Sequence, residues 1–373
     1  MRRAALALVM ATGHAASASP WTVSLEGGAE ADSNVERVET GTGLPIAPIA
    51  AAVGRLGGRL EHADRLAGGA YAFNLSGLGR YVLGNDAASP ENVALIAGDL
   101  RWLHPVGDRP VSVGFALTGA DAIAITDPIG NRTFRNLGGD ALLLIRPSDE
   151  KKLTLGIGGR DFVYKPDRQF DWTGPVASAR LDLVLWQAEG QTKTFELAGT
   201  AGFEARTYNG NAFADSCAIG EAQAPTCFAP TTIVRRDRVQ RVGVELTWVG
   251  DLVAALGYQV TVVDSNSYGQ SLVRHRATLS GTTELFWGIF ATGLVTLQID
   301  RYLNGLLVQS DFQHTSFTNL EDENRSSIQV RLARPITSTI SAEMRGAIWR
   351  GIGDSMSDEF GRELLYAGLI YTN

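Results

Sequence analysis

Charged side chains recur at every second position along several stretches of this sequence, and this spacing is the first feature that could support chemistry. Within Arg241 to Asp300, one stretch places Arg274 and Arg276 on one parity and Val273 and Ala277 on the other. Residues two apart lie on the same face of a β-strand, so each stretch has a charged face and an apolar face. Guanidinium groups and carboxylates on one face can pair with each other or, where water reaches them, act on passing ions.

A set of charges is predicted to share this polar face: Arg80, Arg101, Arg160, Arg180, Arg206, Arg241, Arg274, Arg276, Arg331, Arg345, Asp99, Asp140, Asp182, Glu196, Glu245, Glu284 and Glu343. With the further charges on the same parity, the two signs balance. An arginine facing lipid near the membrane midplane would cost about 2 to 4 kcal/mol, so we expect these side chains to line a water-filled lumen. The alternative is that they pair across neighbouring strands and only stiffen the wall.

Two cysteines, Cys217 and Cys227, lie in one long polar segment. In an exported protein, an even pair this close together predicts a disulfide that closes a loop tip. Two free surface thiols are the alternative. The spacing has no nearby histidine, which argues against a zinc site.

Other groups that could carry chemistry are sparse. Asp311, His314 and Ser316 lie together near a predicted outer loop, but no strand residue completes a catalytic set. The acidic segment Asn319 to Glu323 could hold Ca²⁺ weakly, although a solvated acidic loop is the preferred interpretation. There is no glycine-rich phosphate loop and no cluster with metal-ligand spacing. The sequence therefore predicts no cofactor, no metal and no enzymatic activity.

The elements that must position the charges are strands, because apolar and polar residues alternate along most of the chain. The pattern predicts an all-β fold, a transmembrane antiparallel up-and-down β-barrel of about 16 strands, with 14 as the alternative count. Long polar connections alternate with short ones, and the longest runs from about Tyr208 to Arg236. This alternation predicts long extracellular loops, periplasmic turns and periplasmic termini. The last stretch, Glu363 to Thr372, is apolar on both parities, so its faces are not predicted.

Tryptophans cluster near the predicted ends of the strands, where amphipathic rings favour the membrane interface. Trp21, Trp102, Trp248 and Trp287 are predicted to form a girdle at the periplasmic side. Trp172 and Trp349 lie towards the outer loops and suggest a second girdle. Trp186 has the inward parity and does not fit this pattern.

Composition and the N-terminus agree with export to a membrane. A basic start, a short apolar run and an Ala16-Ser17-Ala18 ending predict a signal peptide at residues 1–18, followed by a single barrel domain at 19–373. The 42 glycines and 45% hydrophobic residues suit a chain whose lipid-facing and water-facing positions interleave. The net charge of −7 argues against binding to nucleic acid.

One tract supports a family resemblance. Asp32-Ser33-Asn34-Val35 resembles the motif that follows the opening strand of many Gram-negative outer-membrane barrels, including the barrel part of the surface-lipoprotein assembly modulators. The stretches Asp264 to Leu279 and Arg325 to Arg345 are similar to uncharacterised barrels of that kind. The resemblance implies contact with outer-membrane lipid and with the barrel insertion machinery. We expect a pore for small solutes or ions, and the alternative is a partner in secretion, assembly or surface display of another protein.

Overall fold

The computed structural model describes residues 21–37, 47–126, 133–188, 193–215, 228–303, 325–351 and 360–373. Within these residues the chain forms sixteen strands: β1 (Thr22–Asp32), β2 (Ala51–Leu66), β3 (Gly69–Leu83), β4 (Val93–Pro105), β5 (Val111–Ala124), β6 (Phe134–Ser148), β7 (Lys151–Tyr164), β8 (Trp172–Gln187), β9 (Thr194–Asp215), β10 (Phe228–Val249), β11 (Leu252–Ser265), β12 (Leu272–Glu284), β13 (Phe290–Tyr302), β14 (Ser326–Pro335), β15 (Ile340–Arg350) and β16 (Gly361–Thr372). The predicted signal peptide and both cysteines lie outside the described residues.

The strands form a closed antiparallel barrel in which each strand pairs with its neighbours in sequence. β1 also pairs with β16, from Ser24 opposite Thr372 to Asp32 opposite Leu364, so the sheet has no free side. Asn373 prolongs this closure, because its side-chain oxygen accepts from the Val23 N–H at 2.8 Å and its amide nitrogen donates to the Trp21 carbonyl at 3.1 Å. The predicted all-β, up-and-down barrel of sixteen strands is confirmed.

The two ends of the barrel differ in their connections. β2 and β3 are joined by Ala67 and Gly68, both with positive φ, as a tight hairpin turn requires. β6 and β7 are likewise joined by only Asp149 and Glu150. At the opposite end the connections are mostly longer, for example residues 33–50 between β1 and β2. These two ends are called the short-turn end and the long-loop end below.

The hairpin of β9 and β10 is longer than the sequence pattern predicted. Each of these strands has 22 residues, whereas the others have 10 to 16. The segment from Tyr208 to Arg236, predicted as one loop, is therefore strand up to Asp215 and again from Phe228. Register shifts between Pro230 and Arg236 interrupt the pairing, which explains why the period of two is hidden there.

The two faces of the wall can be told apart by exposure. Leu56 is 71% exposed and Ile157 68%, whereas Arg55 is 8% exposed. Large apolar side chains are exposed on the same parity on nearly every strand, and the other parity carries most of the charges. The concave side of a closed barrel crowds its side chains, so the buried parity is the inner face. On β16, whose faces were not predicted, Leu365 and Leu369 are exposed and Tyr366 is buried.

The helices of the described residues are three short 3-10 turns, at Asp86–Glu91, Arg168–Phe170 and Phe286–Gly288. None of the helices in this part of the chain is long and apolar enough to cross a membrane.

Candidate functional site: the inner face of the barrel

The first and last strands are joined on the inner face by a buried ion pair. The Arg362 guanidinium donates to both carboxylate oxygens of Asp32, with distances of 2.6 to 3.1 Å. Both side chains are fully buried, at 2% and 0% exposure. Arg362 also lies over the Trp349 ring at 4.7 Å from its centroid. A buried charge must be paired and hydrogen-bonded, so this pair fixes the closing strands to each other.

Arg55 and Arg80 continue this network onto β2 and β3. Arg80 donates to Glu30 at 2.5 Å and to Asp32 at 3.0 Å. Arg55 donates to Glu26 at 2.6 Å. All three carboxylates are on β1, so β2 and β3 both supply arginines to the carboxylates of one strand.

On the other side of the closure, Glu343 on β15 accepts from two arginines. Arg345 donates to it at 2.8 Å, and Arg331 on β14 also pairs with it. The Tyr366 ring of β16 lies between Arg55 and Arg345, at 5.4 and 5.3 Å from its centroid. We call this group of inner-face residues the seam network: Glu26, Glu30, Asp32, Arg55, Arg80, Arg331, Glu343, Arg345, Arg362 and Tyr366.

A second network lies on β9 and β10, across the barrel from the closure. Glu204 accepts from Arg206 at 2.8 Å and from Arg241 at 3.2 Å. Arg206 is buried and stacks on Trp172, with its guanidinium carbon 4.5 Å from the ring centroid. Two strands of a sixteen-strand closed ring that are eight apart face each other, so this network faces the seam network across the interior.

Arg235 and Asp237 extend the second network towards the long-loop end. They pair at 2.5 Å with side-chain exposures of 5% and 0%. Arg235 also lies 4.1 Å from the centroid of the Tyr208 ring. Asp237 accepts a further hydrogen bond from the Ser265 hydroxyl at 2.6 Å.

The remaining pairs are local and partly exposed. Arg160 binds both oxygens of Asp140, at 2.8 and 2.7 Å. Arg274 binds both oxygens of Asp300, at 2.8 and 2.6 Å. Bidentate pairs of this kind hold the guanidinium in a fixed plane.

Towards the short-turn end, water reaches the charged side chains of the inner face. Arg180 is 49% exposed and pairs with Asp182 at 2.7 Å, and Lys152 is 42% exposed and reaches the same carboxylate at 3.0 Å. Arg59 is 53% exposed. The paired charges of the inner face are therefore mostly buried near the long loops, whereas Arg59, Lys152 and Arg180, nearer the short turns, are exposed.

Six of the predicted charges have no ion pair within 4.0 Å among the described residues: Arg101, Arg276, Asp99, Glu196, Glu245 and Glu284. Asp99 accepts from the Asn74 amide at 2.9 Å, and Glu196 accepts from the Thr194 hydroxyl at 2.9 Å. The structure thus brings most of the predicted arginines onto carboxylates of the same or a neighbouring strand. For these arginines the contacts agree with the alternative that the charges pair with each other and stiffen the barrel wall.

The inner face is not polar throughout. Near the long-loop end, apolar and aromatic residues of the inner parity form a buried cluster: Val93, Leu95, Ala120, Ala122, Phe134, Phe162, Tyr164, Trp172 and Tyr208. Phe170, from the 3-10 turn between β7 and β8, packs against it. Val35 and Ala88 from two other connections pack on Val53 and Val82. Connecting segments that fold inwards explain why apolar residues occur here.

The tryptophans divide into exposed and buried groups. Trp21, Trp248 and Trp287 are 49%, 37% and 76% exposed, and Trp102 is half-buried with a hydrogen bond to the Leu66 carbonyl. The four lie towards the short-turn end, where the sequence placed a girdle. Trp172 and Trp349 are 3% and 5% exposed on the inner face, so the second girdle is wrong. They pack under arginines instead.

The pairing of β8 with β9 explains why Trp186 lies on the outer face although its parity in the sequence is inward. A register shift between Val184 and Trp186 places Trp186 opposite Phe195. The ring is 48% exposed and stacks on Trp248 at 5.8 Å. An extra residue in one strand reverses the parity beyond it, which the sequence pattern alone did not reveal.

Several residues of the two networks were missed by sequence reasoning: Asp32, Arg235, Asp237, Arg362 and Tyr366. Asp32 was assigned to the loop after the first strand, Arg362 lies just before the predicted last strand, and Arg235 lies within the predicted loop of β9 and β10. Their parity relative to the neighbouring strand residues is the signal that could have found them. The predicted groupings of Cys217 with Cys227, of Asp311, His314 and Ser316, and of Asn319 to Glu323 lie outside the described residues.

One carboxyl group in a connecting segment has a shifted pKa. Burial, with the nearby Glu91 carboxylate as a second cause, raises the pKa of Glu36 above its ordinary value. Glu91 is itself buried. The segment after β1 thus packs more favourably when Glu36 carries a proton.

No protein-family model and no curated protein matches the sequence. The solved structures that are similar to it include porins. One is a mutant of the porin of Rhodopseudomonas blastica, with 9% identity, a TM-score of 0.37 and coverage of 95% of this chain and 99% of that chain. Another is OccAB1 of Acinetobacter baumannii, with 8% identity, a TM-score of 0.48 and coverage of 94% and 96%.

Proposed function

We propose that this chain is an outer-membrane pore through which small polar solutes and ions pass. One observation carries the proposal: a closed sixteen-strand barrel has an apolar outer face and charged inner side chains that water reaches, as at Arg59, Lys152 and Arg180. Sixteen strands enclose more space than side chains fill. An apolar exterior of this kind is stable in lipid, and wet charges inside it need an aqueous lumen.

In this proposal the two networks narrow the path in the half nearest the long loops. The inner side chains there are buried, and connecting segments pack over them. In the seam network and the network around Glu204, eight arginines pair with six carboxylates, so most of the charge in the narrow part is compensated. The pore would then discriminate between solutes mainly by size and would select only weakly between anions and cations.

Liposome swelling tests the pore directly. Refolded protein in liposomes should admit neutral sugars at rates that fall with sugar size, and planar bilayers should show single-channel conductance. Protein that has been heat-unfolded before reconstitution is the control, because it has the same composition and no barrel. A folded protein that passes neither sugars nor ions would refute the proposal.

The orientation follows from the same proposal, with termini and short turns in the periplasm and long loops outside. Asn211, on the exposed part of the β9 hairpin, and Asp149, in the turn after β6, lie at opposite ends. Each is changed to cysteine in a background without the two native cysteines. A membrane-impermeant thiol reagent should label Asn211→Cys on whole cells and leave Asp149→Cys unlabelled. Reversed labelling would contradict the orientation.

The second candidate is a barrel that works with another protein. The β9–β10 hairpin favours it, because Ile233 is 64% exposed and Val234 37% on a part of β10 with irregular pairing. Large exposed apolar residues on such a hairpin suit a protein contact. Conductance that needs no partner favours the pore, and a silent barrel that gains conductance with a co-purified protein favours this alternative.

A further inference from the structure

Among the described residues, Arg276 has no ion pair, unlike Arg274 and Arg241 near it. It lies on the inner parity of β12, two residues from Arg274, and is opposite Gln259 on β11 and Gln298 on β13. Neither of these cross-strand neighbours is charged. Arg276 is half-buried, so part of its side chain meets solvent.

Each neighbouring arginine already has a carboxylate. Arg274 binds both oxygens of Asp300, and Arg241 donates to Glu204 at 3.2 Å. Among the described residues Arg276 has no carboxylate within 4.0 Å, and its Nε is buried without a hydrogen-bond partner. A donor in this state lacks the acceptor that buried polar groups normally have.

The nearby carboxylates do not replace that acceptor. Asp300 is occupied by Arg274 and also accepts from the Gln298 amide nitrogen at 3.3 Å. Glu245 on β10 is opposite Gly257 on β11, and its carboxylate lies close to that glycine. On the other side of β11, Gly257 is opposite Thr278 on β12. Glu245 has no ion pair with Arg276, and its negative charge on the same face of the wall would repel an anion that approaches Arg276.

A guanidinium presents a planar fork of donors that fits the two oxygens of a carboxylate or a phosphate. The Gln259 amide nitrogen can donate to the same oxygens, whereas that of Gln298 already donates to Asp300. We infer that Arg276, flanked by Gln259 and Gln298, forms a subsite for a carboxylate or phosphate group of a solute in transit. This inference rests on the proposed pore and names the chemical class of solute that would pause there.

Single-channel recording at constant ionic strength tests the subsite, with succinate and inorganic phosphate as probes. Both should reduce the wild-type current in a saturable way. Arg276→Gln should raise the half-blocking concentration about ten-fold or more, the scale of losing a hydrogen bond from a charged group. Glu245→Gln should lower the half-blocking concentration, because it removes the repelling charge.

Arg180→Gln is the matched control. It removes the same charge from the inner face, but Asp182 keeps Lys152 as its partner. Its half-blocking concentration should change less than that of Arg276→Gln. Folding of each variant is checked by the gel shift between unheated and heated samples.

The outcomes separate the subsite from the pore. Conductance without block by either probe overturns the subsite and leaves the pore intact. Equal effects of Arg276→Gln and Arg180→Gln also overturn it, because the effect would then come from total charge. Block by only one probe restricts the subsite to that oxyanion. Absence of wild-type conductance overturns the pore and the subsite with it.

Discussion

A glycine slot at the closure of the barrel gives the sharpest test of the packing. Gly28 on β1 is opposite Gly368 on β16. A Cβ added to Gly28 would lie 2.3 Å from the Ala367 carbonyl oxygen, 2.7 Å from Tyr366 Cε2 and 2.8 Å from the Gly368 Cα. Ordinary contacts are near 3.4 Å or longer. Backbone must therefore move by about 1 Å for Gly28→Ala to fit, since the carbonyl and the Cα cannot rotate away.

Overpacking of this kind costs about 1 to 3 kcal/mol, and occasionally more where backbone is involved. Gly346→Ala on β15 is the matched control, because a Cβ there would meet nothing within 4 Å. Its expected effect is small, between neutral and a stabilisation of about 0.4 to 1 kcal/mol from reduced entropy of the unfolded chain. Urea unfolding in detergent micelles, followed by tryptophan fluorescence, measures both variants.

Gly28→Ala should lower the urea midpoint, and the Gly346→Ala midpoint should stay at or slightly above that of the wild type. Equal midpoints for the two variants would refute the slot between β1 and β16. A Tyr366→Phe variant adds a check on the same site. Its hydroxyl is buried without a partner among the described residues, so removing it should cost little.

Three further predictions follow from the two faces and the connecting segments. Arg362→Gln should destabilise the barrel by about 1.5 to 3 kcal/mol in urea unfolding, because the buried Asp32 loses the arginine that binds both of its oxygens and keeps only Arg80; a loss below about 1 kcal/mol would contradict the buried pair. Leu181→Arg on the exposed face of β8 should impair insertion into liposomes, at a cost of about 2 to 4 kcal/mol near the midplane, and unchanged insertion would show that the faces are reversed. The raised pKa of Glu36 means that the folded state binds its proton more tightly, so stability should fall as pH rises above the ordinary value of 4.5. Glu36→Gln should therefore stabilise the protein at pH 8 and not at pH 4, and an equal shift of the thermal midpoint at both pH values would contradict this.

Much of the fold could be predicted because a period of two is forced on any strand with lipid on one side and side chains or water on the other. The strand count, the alternation of short and long connections, and the shared parity of Arg274 and Asp300 all follow from that constraint. Arg241 and Glu204, which both lie on the inner parity, likewise form a pair.

The sequence predictions were wrong where the period of two is interrupted or hidden. A bulge before Trp186 shifted parity without a sequence signal. β9 and β10 continue past the point at which alternation stops, because irregular pairing around Val234 breaks the period. Trp172 lies on the inner face because a connecting segment folds over it, and such long-range contacts leave no periodic trace. Which arginine pairs with which carboxylate also depends on the register of neighbouring strands, and one residue of register changes every partner.

The central claim, an aqueous path along the inner face, is tested most directly by two adjacent positions on β12. Thr278 is on the inner parity with Arg276, and Leu279 is 51% exposed on the outer face. Each is changed to cysteine in a background with Cys217→Ser and Cys227→Ser, and single-channel current is recorded while a charged, membrane-impermeant thiol reagent is added. The current through Thr278→Cys should fall in a stepwise, irreversible manner, and that through Leu279→Cys should not change. Unchanged current in both variants, or the fall only in Leu279→Cys, would contradict a conducting lumen on this face.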